Sequence, residues 1–516
     1  MKNIFKYMAV GALSISLLNS CDLETAPTDS MSGSSLMTNA GAALVPLNGI
    51  YRSMYLAGWS TSGSNSHQCF GISAYNLMAE VMGDDMIMND MGNGWFWFDA
   101  DYSVKPLYDR RGFRSYDLWN AYYTWISNAN YILAAESTMQ GETNDVNYVI
   151  GQAYAIRAYS YFMLAQSFAR TYVGHESEPC CPIYTEPTTP ETEGKARATV
   201  QDVYAQITAD MDKAVSLLKG THRKHISHIS YPVACGIQAR IALTMEDWKK
   251  AKDSAAEAIQ ASGSKIIPIN EFMGVNTVVD DNQIPTPNVM WGAKIIADQS
   301  GSYAGFFTHM DPEATYGGSA RKQINKELYA KISATDSRTA WWNPSDPANK
   351  KNGYQQTKFK FTDLKNFLGD YVWMRVEEMY LIAAEASCRL GDEPSAKSYL
   401  NDLMEQRDSQ YDCSRLSGTA LGATTYEWTG SLLEEIILQR RIELWGEAGR
   451  IYDIRRLKQG FVRKQEQGWP AALCLSGRNS NDPESYMWVL TIPQSEFDGN
   501  ANMNPDTDQN PVDDTK

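Results

Sequence analysis

The sequence predicts a mostly α-helical protein: a scaffold of stacked helical pairs with a large, irregular, loop-rich half set between them. Three observations lead there. Helical periodicity dominates three blocks, about 114–170, 199–261 and 371–459. A helical hairpin pattern recurs at an offset of 145 residues. The intervening segments, about 57–113 and 264–370, are rich in Gly, Asn, Ser, Asp, Tyr and Trp and do not read as helix. The length, 516 residues, exceeds a usual single domain, but a repeat array grows as one body. With 43% hydrophobic and 21% charged residues, chain-long disorder is excluded. The 46 Lys and Arg against 61 Asp and Glu give −15, a poor match for nucleic acid, where affinity rests on neutralising phosphates.

Along the chain, the first element is an address. Lys2 and Lys6 precede an apolar run from Met8 to Leu18, then Asn19-Ser20-Cys21. A basic start, a short apolar run and a small residue before the cut describe a secretory signal over 1–20. Cys21 sits where a bacterial lipoprotein carries its lipidated cysteine, and Leu18-Asn19-Ser20-Cys21 resembles that lipobox. Acyl chains anchor at about 0.8 kcal/mol per buried methylene. Removing the signal takes away two lysines and no acid, leaving 44 bases against 61 acids, or −17. Residues 21–35 read as a polar tether, and 36–516 as a single body.

The first helical block has core positions at Leu118, Tyr122, Trp125, Ile126 and Ala129, then Ala153, Ile156, Tyr159 and Phe162. Thr199, three before Asp202, reads as the N-cap opening the second block. The repeat pairs ARIALTMEDWKKAKDSAAEAI (from Ala239) with AEASCRLGDEPSAKSYLNDLM (from Ala384), matching Asp247 to Asp392 and Ala251-Lys252 to Ala396-Lys397. Small residues let two helices approach closely, which is tetratricopeptide-like logic. After Cys21 seven cysteines remain, of which Cys235 and Cys388 read as small core residues; no C-x-x-C spacing turns Cys180-Cys181 into a metal site.

The charged stretch near the C-terminus places Arg440, Arg441, Glu443, Glu447, Arg450, Asp453, Arg455 and Arg456 on one helix or its end. Arg440–Glu443 and Glu447–Arg450 are spaced to pair on one face. Glu443 and Glu447 could form an acid/base couple, but a structural ion-pair network is the favoured reading. No H-E-x-x-H, G-x-S-x-G or P-loop is present, so no catalytic residue is assigned. His222, His225 and His228 read as a solvated linker, and Asp498, Asn500 and Asn502 lack the Gly and Glu of a calcium loop. No metal and no cofactor is expected.

Four stretches resemble the SusD/RagB family of outer-membrane nutrient-binding lipoproteins. They are the lipobox with its acidic tether; LMAEVMGDD (77–85) with LWNAYYTWISNANYIL (118–133); GQAYAIRAYSYFMLAQSFARTYVG (151–174) with PIYTEPTTP (182–190); and LLEEIILQRRIELWGEAGRIYDIRRLKQG (432–460) with IPQSEFDGNANMNPDTDQNP (492–511). The segment GHESEPCC (174–181) departs from the short Gly-rich link usual there. The resemblance implies four tetratricopeptide-like pairs plus an irregular half and a lipid-anchored position on the outer membrane, facing the exterior. It also implies a SusC-like TonB-dependent transporter as partner, an oligosaccharide or polysaccharide ligand and no catalysis. Capture of peptide or glycopeptide is the alternative within binding proteins. A surface glycoside hydrolase, needing two carboxylates about 5–10 Å apart, is the alternative from another class.

A sugar ring offers apolar C–H faces and a hydroxyl rim, so its site needs exposed aromatics beside amides, carboxylates or guanidinium groups. Two stretches qualify, and both fall where the family places its ligand. In NDMGNGWFWFDADY (89–102), an extended strand would set Trp95 and Trp97 on the face opposite Phe96 and Phe98, with Asn93 and Asp99 as hydroxyl partners. In SGSYAGFFTHMDPEATYGGSARK (300–322), Tyr303, Phe306 and Tyr316 lie near Arg321, and Trp341-Trp342 follow. Trp95, Trp97, Tyr303 and Trp342 are the leading stacking candidates.

Overall fold

A computed structural model describes residues 37–58, 63–102, 112–280, 282–301, 303–345, 353–475 and 479–511. The signal segment, the tether and Cys21 lie outside them. Ten helices of ten residues or more occur among the described residues: α1 (Ala40–Ser53), α2 (Ile72–Val81), α3 (Phe113–Leu133), α4 (Thr143–Phe168), α5 (Val200–Leu218), α6 (Tyr231–Thr244), α7 (Trp248–Ser262), α8 (Val376–Arg389), α9 (Glu393–Met404) and α10 (Leu432–Glu443). Six short strands accompany them: β1 (Met86–Met88), β2 (Val289–Ala293), β3 (Lys322–Ile324), β4 (Trp342–Asn343), β5 (Gln355–Gln356) and β6 (Tyr371–Arg375).

Helices α3 to α8 pack in series, each against the next, and α8 carries both α9 and α10. The repeat is real in three dimensions. Asp247 caps α7 by accepting from the Lys250 amide, and its counterpart Asp392 caps α9 by accepting from the Ser395 amide. Ala239 and Ala242 of α6 and Ala251, Ala255 and Ala258 of α7 are all buried, so small side chains let the two backbones approach closely, and Ser254 donates across to Gln238 Oε1 at 2.8 Å. Lys252 of the first copy then bonds Asp392 of the second at 2.6 Å, tying one hairpin to the next. Thr199 caps α5 as expected, accepting from the Asp202 amide.

The helical blocks needed trimming. Residues 371–375 form β6, which pairs antiparallel with β2 through an irregular register, and 405–431 holds no helix. Conversely, α2 lies inside the segment 57–113 that did not read as helix. His228 is also misread as solvated. It is 4% exposed, its Nδ1 lies 2.8 Å from the Tyr148 hydroxyl and its Nε2 2.7 Å from Asn48 Oδ1. The seven cysteines from Cys69 onward are free thiols, with Cys180 and Cys181 sulfurs 3.8 Å apart.

The charged stretch is two helices, not one. Gly446 and Gly449 adopt positive φ (83° and 73°) and break the chain between α10 and the short helix Arg450–Arg456. The expected local pairs are therefore replaced by long-range ones. Glu443 accepts from both Arg407 Nε and Nη2 at 2.9 Å, from Arg375 at 3.0 Å and from Arg338 at 3.3 Å, with all four side chains buried. Arg375 also donates to both Glu447 oxygens. Arg450 and Arg441 hold Asp84 and Asp85 at the end of α2 (3.0 and 2.6 Å), and Arg440 holds Asp453 at 2.8 Å. Burial alone would raise the Glu443 carboxyl, but Arg407 and Arg375 outweigh it and hold it well below the usual carboxylate range.

Other buried arginines bond only to carbonyls, at helix ends where such groups are orphaned. Arg455 donates to the carbonyls of Gln166 and Ala169 at the end of α4, and Arg463 to those of Val81 and Met82 (2.9 and 3.0 Å) at the end of α2.

Two outcomes follow. Glu443→Gln leaves three buried guanidinium groups short of charge and should lower stability by about 3–5 kcal/mol, read by urea unfolding. Breaking the exposed Lys249–Asp253 pair with Lys249→Ala should leave the transition in place. Burial pushes His228 and His309 down to about 3. Their folded pKa lies below the unfolded value of about 6.5, so the unfolded chain takes up protons first and stability falls as pH drops from about 6.5 towards 3. His228→Gln should flatten that fall, measured as unfolding free energy against pH.

Candidate ligand-binding site

Strand pairing explains why two distant stretches of sequence become one surface. β1 and β3 run antiparallel with Met88 opposite Lys322, and the Asn89 amide continues the ladder to the Arg321 carbonyl at 3.1 Å. The loop leaving β1 and the loop entering β3 therefore emerge side by side. Gly92 lies at their closest approach, with φ of 51° and a Cβ position only 2.9 Å from Ser319 Oγ. Asn93 Oδ1, 3.5 Å from Ser319 Oγ, joins the loops at the rim.

Four rings meet there. His67 lies nearly parallel to Trp95 (centroids 5.1 Å, planes 19° apart) and to Tyr303 (6.2 Å, 20°). Tyr316 closes on Trp95 edge-on at 6.0 Å, and its hydroxyl sits 2.6 Å from His67 Nδ1. Phe367 borders Tyr303 at 6.4 Å. Tyr303 is 52% exposed and Trp95 half-buried, so the cluster has a solvent face; Tyr316, at 8%, serves mainly as its base. Trp95 Nε1 and Arg321 Nε, both buried, have no hydrogen-bond partner.

Beneath the rings the site is buried and polar. His309 Nε2 lies 2.7 Å from the His67 carbonyl, and its ring packs against Tyr316 at 5.2 Å. Lys322 is buried, and its ammonium donates to the Ala320 carbonyl at 2.8 Å. Burial pushes its pKa down to about 7.

The structure sorts the expected residues. Trp95, Asn93, Tyr303, Tyr316 and Arg321 gather at this surface. Trp97, Phe306, Trp341 and Trp342 do not present faces to solvent. Residues Trp97–Asp101 form a helical turn entered through Phe96 at φ 60°, so the alternation of an extended strand does not apply and Trp97 turns inward. Asp99 is spent on Arg114, accepting from Nε and Nη2 at 3.0 Å each, both side chains buried. Trp341 is fully buried under the Lys358 ammonium (4.3 Å), and Trp342 packs edge-on against Trp445 at 5.7 Å. Phe306 packs edge-on against Phe359 at 5.2 Å. His67, Phe367 and Lys322 were missed. A lone histidine in GSNSHQ carries no pattern, and only the fold brings it to Trp95.

An aromatic surface with no convergent pair of uncommitted carboxylates among the described residues is suited to holding a ligand by its faces. Comparison with known proteins gives the family. Residues 73–243 match a family model described as starch-binding associating with outer membrane, and residues 293–512 match one described as SusD family. The chain is 25% identical to SusD-like protein P2 of Formosa agariphila, covering 96% of this chain and 97% of that protein. A SusD-like carbohydrate binding protein of Bacteroides vulgatus superposes with a TM-score of 0.74 at 27% identity, over 91% of this chain and 98% of the other. A SusD superfamily protein of Bacteroides thetaiotaomicron shares the fold, with a TM-score of 0.73 at 24% identity over 92% of this chain and 100% of its own. From the first repeat helices to the C-terminal segment, this chain belongs to the SusD family.

Proposed function

We propose that the protein is a cell-surface lipoprotein that captures oligosaccharides and delivers them to a SusC-like TonB-dependent transporter in the outer membrane. The observation that carries the reading is the open aromatic cluster of Trp95, His67 and Tyr303, whose solvent face is formed by Tyr303 and the half-buried Trp95. A pyranose lies flat on such rings through its C–H face. Asn93 at the rim adds an amide that both donates and accepts. The Bacteroides vulgatus relative described as carbohydrate binding supports the same class of ligand. The signal sequence and Cys21 support the anchored, exterior location, and the net −17 of the processed chain favours neutral glycans over polyanionic ones.

The way the acids are used supports binding without turnover. Glu443 and Glu447, the carboxylates that invited a catalytic reading, are enclosed by Arg338, Arg375, Arg407 and Lys358. An acid/base pair of a glycosidase needs one member held protonated near neutral pH. Here both carboxyls are held below the ordinary range: burial would raise them, and the cations more than compensate.

Affinity electrophoresis through gels containing starch, xylan, mixed-linkage glucan or mannan tests the ligand class. Retardation by at least one polysaccharide with no new reducing ends is expected, and sugar release would sink the binder reading. Trp95→Ala and Tyr303→Ala should each weaken retention about threefold or more with little change in thermal melting. Retention of peptides in place of glycans would turn the reading to peptide capture. Cys21→Ser should move the protein from the membrane fraction to the soluble one, and the lipidated form should co-purify with a large barrel protein.

A further inference from the structure

A second groove lies elsewhere on the molecule and shares no residue with the aromatic cluster. Helix α3, the loop 182–194 and the short helix Gln494–Gly499 enclose ≈ 400 Å³, within the range of small-molecule sites. Its floor is aromatic. Trp119 and Tyr123 stand 4.8 Å apart, Tyr184 meets Tyr123 edge-on at 6.1 Å, and Tyr116 at the mouth is 39% exposed. On α3, Tyr116, Asn120, Tyr123 and Ser127 follow one another at helical spacing along the groove, while Leu118, Tyr122 and Trp125 go to the core. One helix thus carries an apolar face and, beside it, a face of rings and polar side chains whose base packs on α4 through Trp119–Phe168 and Tyr123–Tyr161.

The groove is held open by bonds among its own walls. Tyr123 donates to the Pro182 carbonyl at 2.7 Å, Ser127 and Thr188 hydroxyls meet at 3.0 Å, and Asn130 donates to the Tyr184 carbonyl at 3.0 Å. These fix the loop to α3. Across the groove, Trp119 Nε1 and Asn500 Nδ2 donate to the two oxygens of Glu496, at 3.0 and 2.7 Å. Glu496 is the one charged side chain among the described residues lining it, and its oxygens are already engaged. The walls therefore offer ring faces and hydroxyls (Thr189, Thr192), with no free charge among the described lining residues. That chemistry excludes recognition by ion pairing and suits a neutral, polyhydroxylated ligand. A shape fixed in advance lowers the ordering cost of binding.

We infer that this groove is a second carbohydrate site, taking a neutral pyranose unit of the same polysaccharide chains or of free oligosaccharide. The inference rests on the glycan-binding reading of the protein. Two sites on one body raise retention on a long polymer through effective concentration, even where each alone is weak.

The test compares four full-length proteins in the polysaccharide gels: wild type, Trp95→Ala/Tyr303→Ala, Tyr116→Ala/Thr189→Arg, and all four changes together, with circular dichroism melts confirming folding. The altered groove residues are exposed, and Tyr116→Ala alone serves if the double variant melts early. Expected is a loss of about threefold or more in retention from the groove variant with the aromatic cluster intact, and a further loss in the combined variant. Unchanged retention of the groove variant, with retention abolished by the Trp95/Tyr303 changes alone, overturns the second site and leaves the first standing. Loss from the groove changes and none from Trp95/Tyr303 supports the groove and overturns the aromatic cluster as the binding surface. A wild type retained by no polysaccharide overturns both readings.

Discussion

The carboxylate of Glu443 is the point on which the architecture turns. It stands at the end of α10 and takes arginines from three other places: Arg338 from the irregular half, Arg375 from β6 and Arg407 from the end of α9. Each cation would be costly to bury alone; Asp336, Glu377 and Glu447 share the three guanidinium groups, and Glu443 is the acid common to all of them. The loops and the helical array are thus fixed to each other by one shared cluster. Hydrophobic contact would hold the two halves together without specifying their register; guanidinium forks on one carboxylate do specify it.

The same device recurs at smaller scale. Asp84 and Asp85, just before β1, are held by Arg441 and Arg450 across the break in the C-terminal helices. Arg114 at the start of α3 grips Asp99, and Arg463 gathers the last carbonyls of α2. These contacts flank the loop that carries Trp95. The short ladder of β1 and β3 spans only three residues on each strand and would be marginal by itself. Anchored at both ends by buried charge, it becomes a stable base for two long loops.

This also explains what could and could not be read from the sequence. The repeat was legible because it rests on local rules: alanines at helical spacing and an aspartate at each N-cap leave the same mark in both copies. The charged stretch was legible as structural, but most of its partners were not, since Gly446 and Gly449 redirect the chain and Arg441 and Arg456 reach Asp85 and Glu385, far away in sequence. Of the residues in the aromatic stretches, the fold gathers Trp95, Tyr303 and Tyr316 into one cluster and buries Trp97, Trp341 and Trp342; the letters alone could not separate them, because an aromatic residue reads the same whether it faces solvent or stacks on Trp445. Exposure is decided by pairing between segments far apart in the chain, and His67 entered the site by that route alone.

A division of labour follows from where the polar groups are spent. In the frame, buried charges and most amide ends are committed to protein partners, and altering them alters the fold. At the aromatic cluster, rings pack on rings while Trp95 Nε1 and Arg321 Nε stay unpaired. An unpaired buried donor costs free energy, and here that cost falls on the loops rather than on the ion-pair cluster. On the function proposed above, the choice of ligand would rest on residues other than Glu443 and its arginines, so the loops could change their aromatic pattern while that cluster stays as it is.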